Sequence, residues 1–302
     1  MGAATARSSV TRHILGVTMD IQGRRSILCP NCRRLISTDE TSCPHCGLSR
    51  PGSRWRNNLW TGNFFSSHQL VRTIIFINAG MFVLSLIIAP SSAGFSMNPL
   101  NFLSPGSRSL LLLGATGRIP IDQFDRWWTL LSASYLHGSI LHILFNMMAF
   151  SQIAPLIVHE YGASRTLAIY TLSGIGGYVL SYFAGTAVTL GASAAVCGLI
   201  GAALYYGRSR GGQFGQLVYR QVSGWVIGLF IFGFLFPGID NWAHGGGLLT
   251  GILAGFVLGY QERQPERLLH KTVGNLCVIA TALTLVYAVG TSFLIIFRVG
   301  LG

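Results

Sequence analysis

Charge is what this sequence has least of. Only 10% of its 302 residues are charged, against roughly 25% in soluble domains. Acidic side chains number nine. A chain so poor in charge and 50% hydrophobic lacks the material for an ordinary water-facing surface, which excludes a typical soluble domain and points to lipid. The scarcity of acids also leaves a net charge of +12. Nucleic acid is not needed to explain that excess, because basic residues at the cytoplasmic ends of membrane spans account for it. The dispersed, even cysteine pattern of a secreted disulfide scaffold is missing too. Of six cysteines, four sit in two tight knuckles, while Cys197 and Cys277 lie in apolar segments. The first long apolar run begins near Val71, so no cleavable signal peptide is expected, with Met19 an alternative start.

What is present is a series of apolar stretches. Seven approach the roughly 20 residues a helix needs to cross the hydrocarbon core: near 72–89, 138–158, 164–186, 192–207, 219–237, 243–260 and 273–297. The fourth and sixth are short or interrupted by glycine, and a simple hydropathy window would miss them. The chain then divides into a disordered tail (1–28), a metal ribbon (29–47), an aromatic and basic interfacial linker (48–70), a six-helix core (71–260), and a loop with a seventh span (261–302). The connection 90–137 mixes Pro, Gly and Asn with apolar pieces, as a loop partly embedded in the interface would. Most basic residues fall on one side if the amino terminus is cytoplasmic.

Polar side chains inside spans are costly and mark function. The second span opens with His137, His142 and Asn146, the last two sharing one helix face. The fourth opens with Gly191-Ala-Ser193-Ala, and the sixth carries His244. All three spans run in the same direction, so these residues lie at one depth in the outer leaflet. After His244, glycines recur at 247, 251, 255 and 259, a ladder that admits a close helix partner. Ser193, Cys197 and Gly201 form the expected partner stripe, with Ser173, Gly177, Ser181 and Gly185 on the third span.

A serine hydroxyl needs an adjacent base to act as a nucleophile, and histidine is the usual one. The tetrahedral intermediate needs donors aimed at its oxyanion. Asn146, His142 and the Ser193 N–H can supply them. None of the acidic residues lies within a span, so a Ser193–His244 dyad fits better than a triad. Asp240, one turn before His244, is expected to be a solvated loop residue.

With these residues in place, the chain resembles the rhomboid protease family over about residues 70–260. His137-x4-His142-x3-Asn146, Gly191-x-Ser193 and Ala243-His244-x2-Gly247-x3-Gly251 carry the resemblance. It implies a Ser193–His244 dyad, an oxyanion site near His142 and Asn146, a structural His137, and packing roles for Gly191, Gly247 and Gly251. It further implies cleavage of single-span membrane proteins near the outer face, and an extra seventh helix. Three positions depart from the family pattern: Thr129 after Trp128, Ala194 after the serine, and Cys197 one turn on, where relatives carry an aromatic. The loop 90–137 and the fifth span, with Phe230, Phe232, Phe234 and Phe236, form the expected lateral gate. The alternative is a catalytically silent relative that binds membrane proteins. A transporter is less consistent, since polar groups do not continue through the spans.

The knuckles read Cys29-Pro-Asn-Cys32 and Cys43-Pro-His-Cys46. Each presents two thiolates to one tetrahedral ion, so a structural Zn²⁺ is expected, with no cofactor for catalysis. The expected fold class is therefore an all-α polytopic membrane protein with a small amino-terminal zinc ribbon, expected to dock a cytosolic partner. Its expected place is a bacterial plasma membrane, multi-pass, with the amino terminus in the reducing cytoplasm.

Overall fold

The computed structural model describes residues 26–30, 34–53, 67–88, 94–95, 102–236, 238–264 and 266–300. They belong to two compact units, Met1–Asn57 and Asn58–Gly302.

In the first unit, β1 (Ser26–Leu28) pairs antiparallel with β2 (Leu35–Ser37), with Ile27 opposite Ile36. β1 begins inside the stretch 1–28 that was expected to be a tail. The reason is geometric: the first knuckle needs a strand to enter it, and the Cys29 N–H closes the hairpin on the Arg34 carbonyl at 2.9 Å. The second knuckle turns through Gly47, at φ +73°, with the Cys43 N–H donating to the Leu48 carbonyl at 2.8 Å. Cys29 and Cys43 are buried around Ile36, so the thiols themselves form much of this unit's small core.

The second unit is helical. Its long helices are α1 (Ser67–Ile88), α4 (Ile140–Tyr161), α5 (Ala163–Phe183), α6 (Ser193–Arg210), α7 (Gly212–Leu235), α8 (Asn241–Leu258) and α9 (Leu268–Gly300). Each expected span corresponds to one of them, although α1, α7 and α9 start several residues earlier than their apolar runs. The intervening 90–137 segment is not a bare loop. It holds a two-strand hairpin, β3 (Gly94–Phe95) with β4 (Phe102–Ser104), and short helices α2 (Ser107–Leu113) and α3 (Thr129–Ser132), with a π turn at Ile119–Gln123 between them.

Among the described residues, four helices are long and apolar enough to cross a membrane: α1, α4, α7 and α9. The fourth and sixth spans, α6 and α8, fall outside that set, as does α5. The packing gives the reason. α5, α6 and α8 are covered mainly by one another, so their surfaces carry glycine, serine and threonine where a lipid-facing helix would carry leucine. A methyl on Gly247 would overlap the main chain of Ala194, and one on Gly251 that of Gly198. At Gly255 it would lie 3.2 Å from the Cα of Ala202. Gly198 in turn lies against Ser173 of α5, and Gly177 of α5 against the Ala243 carbonyl.

This corrects the expected seam in part. The α8 ladder meets Ala194, Gly198 and Ala202; of the expected stripe Gly201 does pack on α8, against the main chain of Leu248 and Ile252, while Ser193 and Cys197 lie one residue round from the ladder's contacts. One residue is about 100° of helix rotation, which moves Ser193 from the centre of the seam to its margin. Ser193 is accordingly half-buried between two buried alanines, Ala192 and Ala194. Of the third-span stripe, Ser173 and Gly177 pack in the seam and Ser181 bonds Asp240, while Gly185 lies past the end of α5 with open space around it.

Candidate active site

Ser193 is the first residue of α6, and the chain leading to it is held from three directions. The Gly191 N–H donates to the Ala133 carbonyl at 2.9 Å. The Ala192 N–H donates to Nε2 of His137 at 3.4 Å. The Tyr178 hydroxyl donates to the Gly191 carbonyl. Further back, Thr116 and Thr189 exchange main-chain hydrogen bonds of 3.0 and 2.7 Å, tying this loop to the α2–α3 connection. Gly191 has φ +130°, a conformation that L side chains rarely adopt. A Cβ there would also sit 2.7 Å from Nε2 of His142 and 3.6 Å from Oγ of Ser193. The His142 ring and the serine hydroxyl therefore adjoin one point in space.

Ser139 caps α4, its hydroxyl accepting from the His142 N–H at 3.2 Å. The Gly138 N–H donates to Nδ1 of His142 at 3.3 Å. A neutral imidazole that accepts at Nδ1 carries its proton on Nε2. The nitrogen facing Gly191 and Ser193 is thus a donor. His137 and His142 stack edge to face, with centroids 5.0 Å apart. His137 accepts at Nε2 from the loop that leads to Ser193. Asn146, one turn below His142, gives one amide proton to the His142 carbonyl at 2.9 Å, and a second remains on the same nitrogen.

His244 is 5% exposed, in the first turn of α8. One turn on, Gly247 lies against the main chain of Ala194, the residue after Ser193. The α8 terminus is fixed by Asp240, which sequence reading took for a solvated residue. Its Oδ1 caps the Ala243 N–H at 3.0 Å, and its Oδ2 accepts from the Ser181 hydroxyl. Both carboxylate oxygens are therefore engaged away from the imidazole. Nδ1 of His244 has no hydrogen-bond partner among the described residues. The sequence did hold a signal for this role, since aspartate directly before an apolar helix start is a standard N-cap.

Tyr178 has no comparable signal, and the sequence reading missed it. It packs with Ala133, Ala194 and Ala243, so its ring touches the neighbours of both Ser193 and His244. Of the three departures, Thr129 is buried, with its hydroxyl 2.9 Å from that of Thr116 and 2.6 Å from the Arg126 carbonyl. Ala194 fills the space opposite Gly177 and Gly247. Cys197 is buried.

In the first unit, Cys29, Cys43 and Cys46 have sulfurs within 4.8 Å of one another. The Cys29–Cys46 separation is 3.7 Å. Zn–S bonds of about 2.3 Å set tetrahedral sulfurs about 3.8 Å apart, so the three thiols fit the ion. Cys32 lies outside the described residues.

Comparison with known proteins agrees with this arrangement. Residues 125–261 match the Rhomboid domain family. RHOMBOID-like protein 4 of Arabidopsis thaliana is 33% identical over 207 residues, 63% of this chain and 52% of its own length. RHOMBOID-like protein 6, mitochondrial, of the same plant is 34% identical over 174 residues, 56% of this chain and 57% of its own. Rhomboid protease GluP of Bacillus subtilis (strain 168) is 33% identical over 174 residues, 58% of this chain and 34% of its own. The chain spans about half the length of the two plant relatives and about a third of GluP. His137, His142, Asn146, Ser193 and His244 all fall within the matched stretch, and residues 125–261 are similar to the Rhomboid domain within a chain whose apolar helices fit a multi-pass membrane protein.

Proposed function

We propose that this protein is an intramembrane serine endopeptidase that cleaves single-span membrane proteins near the outer face of the bilayer. Ser193 is the nucleophile and His244 the base of a dyad. His244 takes the serine proton during attack and returns it to the leaving amine. Nε2–H of His142, the free amide proton of Asn146 and the Ser193 N–H stabilise the oxyanion. Water reaches the acyl-enzyme from the outer side, and loop 90–137 with α7 forms the gate.

The observation that carries this reading is the His142 tautomer. The Gly138 N–H leaves the ring proton on Nε2, beside the serine hydroxyl, where a donor is needed and an acceptor would be useless. Two others support it. The N-cap of α6, Ala192, offers no side-chain oxygen, so the first-turn N–H groups around Ser193 are uncapped. Asp240 is engaged elsewhere, which suits a dyad. Catalysis in this scheme uses no metal.

The amino-terminal ribbon holds a structural Zn²⁺ through Cys29, Cys43 and Cys46, with Cys32 as the fourth thiolate by its place in the first knuckle. The ion crosslinks a unit too small to fold on apolar burial alone, and the unit serves a cytosolic partner. The chain sits in a bacterial plasma membrane with its amino terminus inside.

The test is cleavage of a single-span reporter by the protein in liposomes, beside Ser193→Ala and His244→Ala, with fluorophosphonate labelling of each. Cleavage and labelling by the parent, and neither by the variants, is expected. A folded parent that neither cuts nor takes the label overturns the proposal in favour of a silent membrane-protein binder.

A further inference from the structure

The segment between α1 and α4 contains a cleft that the proposed chemistry does not use. Leu111 and Leu112 of α2, with Pro120 and Phe124 of the π turn and its flank, form its apolar walls. Arg108 and Arg126 complete the lining. The cavity is about 350 Å³, room for a stretch of one hydrocarbon chain and not for a whole lipid.

The two arginines are differently placed. Arg126 is fixed: one N–H donates to the Leu111 carbonyl at 3.0 Å, and the guanidinium lies 5.4 Å from the Phe124 ring centroid. A guanidinium has five donors, so most of its capacity remains. Arg108 is exposed, with no hydrogen bond or ion pair among the described residues. The acids nearby do not neutralise the pair. Asp122 is held by Arg118 at 3.2 Å and by the Tyr182 hydroxyl at 2.8 Å. Asp125 does not line the cleft. Around it, Phe124 and Trp127 are more than half exposed, as aromatics at a membrane interface are.

We infer that this cleft binds one anionic phospholipid, its phosphate between Arg108 and Arg126 and the start of an acyl chain along Leu111, Leu112, Pro120 and Phe124. Charge complementarity and apolar walls in one cavity select this occupant. A soluble phosphate would satisfy the arginines and leave the walls wet, and a neutral lipid would satisfy the walls alone. The bound lipid braces the segment that runs on to Ala133, whose carbonyl holds Gly191. Anionic lipid therefore raises the reactivity of Ser193. That consequence rests on the proteolytic reading, whereas the binding does not.

The experiment uses the full chain in nanodiscs of phosphatidylcholine with and without phosphatidylglycerol, reading retained lipid by native mass spectrometry. The parent is expected to keep one phosphatidylglycerol in preference to phosphatidylcholine. Arg108→Gln, which breaks no contact in the fold, weakens retention about fivefold, the effect of one basic residue at an anionic surface. Arg108→Gln with Arg126→Gln weakens it about 25-fold, while Arg220→Gln, exposed on α7 and not lining the cleft, leaves it unchanged. Equal retention by the double variant, equal retention of phosphatidylcholine, or full displacement by glycerol phosphate overturns the inference. Displacement by an acidic juxtamembrane peptide also overturns it, making the cleft a substrate subsite. Loss of cleavage with lipid retention intact counts against the proteolytic reading alone.

Discussion

Gly251 of α8 rests against the main-chain carbonyl of Gly198 on α6, with no room between them for a methyl group. The contact lies two turns below His244, so the seam that sets the α6–α8 distance also sets how Ser193 and His244 approach. Gly251→Ala is expected to destabilise the protein by about 1–3 kcal/mol, the usual cost of overpacking. Gly80→Ala is the control: a methyl there meets nothing within 4 Å, and the change should be neutral or slightly stabilising. Thermal midpoints in one detergent compare the two.

Gly191→Ala should be more selective. The new Cβ would combine an unfavourable φ with a 2.7 Å approach to the His142 Nε2. It would displace the donor proposed to serve the oxyanion, and removal of one such donor costs about 10²–10³ in rate. Cleavage of the reporter should fall by that factor while circular dichroism keeps the parent helix content.

Tyr178→Phe keeps the ring among Ala133, Ala194 and Ala243 and deletes only the hydroxyl that bonds the Gly191 carbonyl. A buried carbonyl left without its donor costs about 1–3 kcal/mol. If that energy holds the serine loop, the rate of fluorophosphonate labelling should fall about tenfold or more with little change in KM for the reporter. An unchanged rate would remove Tyr178 from the positioning set.

Glu262 in the α8–α9 connection pairs with Arg210 at the end of α6, with contacts of 2.9 and 3.1 Å. The hydrogen bond from Arg210 holds its carboxyl below the ordinary value of 4.5. A group depressed on folding contributes stability above its unfolded pKa and loses that contribution as pH falls through the folded one. Protection of the amides in residues 259–264, taken relative to the intrinsic exchange rate at each pH, should therefore be flat above pH 4.5 and fall below it. High salt should have a similar effect at neutral pH, because the pair is solvent-exposed.

The ribbon gives a stoichiometric prediction. The purified protein should carry one zinc per chain, and Cys29→Ser or Cys43→Ser should reduce that content severalfold, since both thiols are buried in the cluster. Elemental analysis of membrane-extracted protein measures it. Zinc content indifferent to both substitutions would discard the metal reading of these thiols.

Much of the membrane unit was legible in the sequence because lipid imposes a simple rule: a span must be long, apolar and internally hydrogen-bonded. Val71 onward obeys it. His142, Asn146, Ser193 and His244 were conspicuous because polar groups in such stretches are rare. The helix register was not legible. α6 presents Ser193, Ala194, Ala195, Cys197, Gly198, Gly201, Ala202 and Ala203, small residues around most of its circumference, so periodicity cannot choose the face that meets α8.

Arg165 shows the same limit. By charge alone it is one of the basic residues that fall on the cytoplasmic side. In the fold it is fully buried and donates to the carbonyls of Tyr161, Gly259 and Gln264, joining the ends of α4 and α8 to the loop beyond. Main-chain carbonyls leave no mark in a sequence, so such a partner set cannot be read from it.

The sequence by itself determined that the chain is helical and membrane-embedded, how many long helices it has, and which polar residues lie within them, because hydrophobicity and side-chain period are properties of each segment alone. Only the tertiary structure decided which small residues form the seam, that Asp240 caps α8 and bonds Ser181, that Tyr178 secures Gly191, and which nitrogen of His142 carries the proton. Those depend on contacts between segments far apart in the chain, where a rotation of one residue changes what each side chain meets.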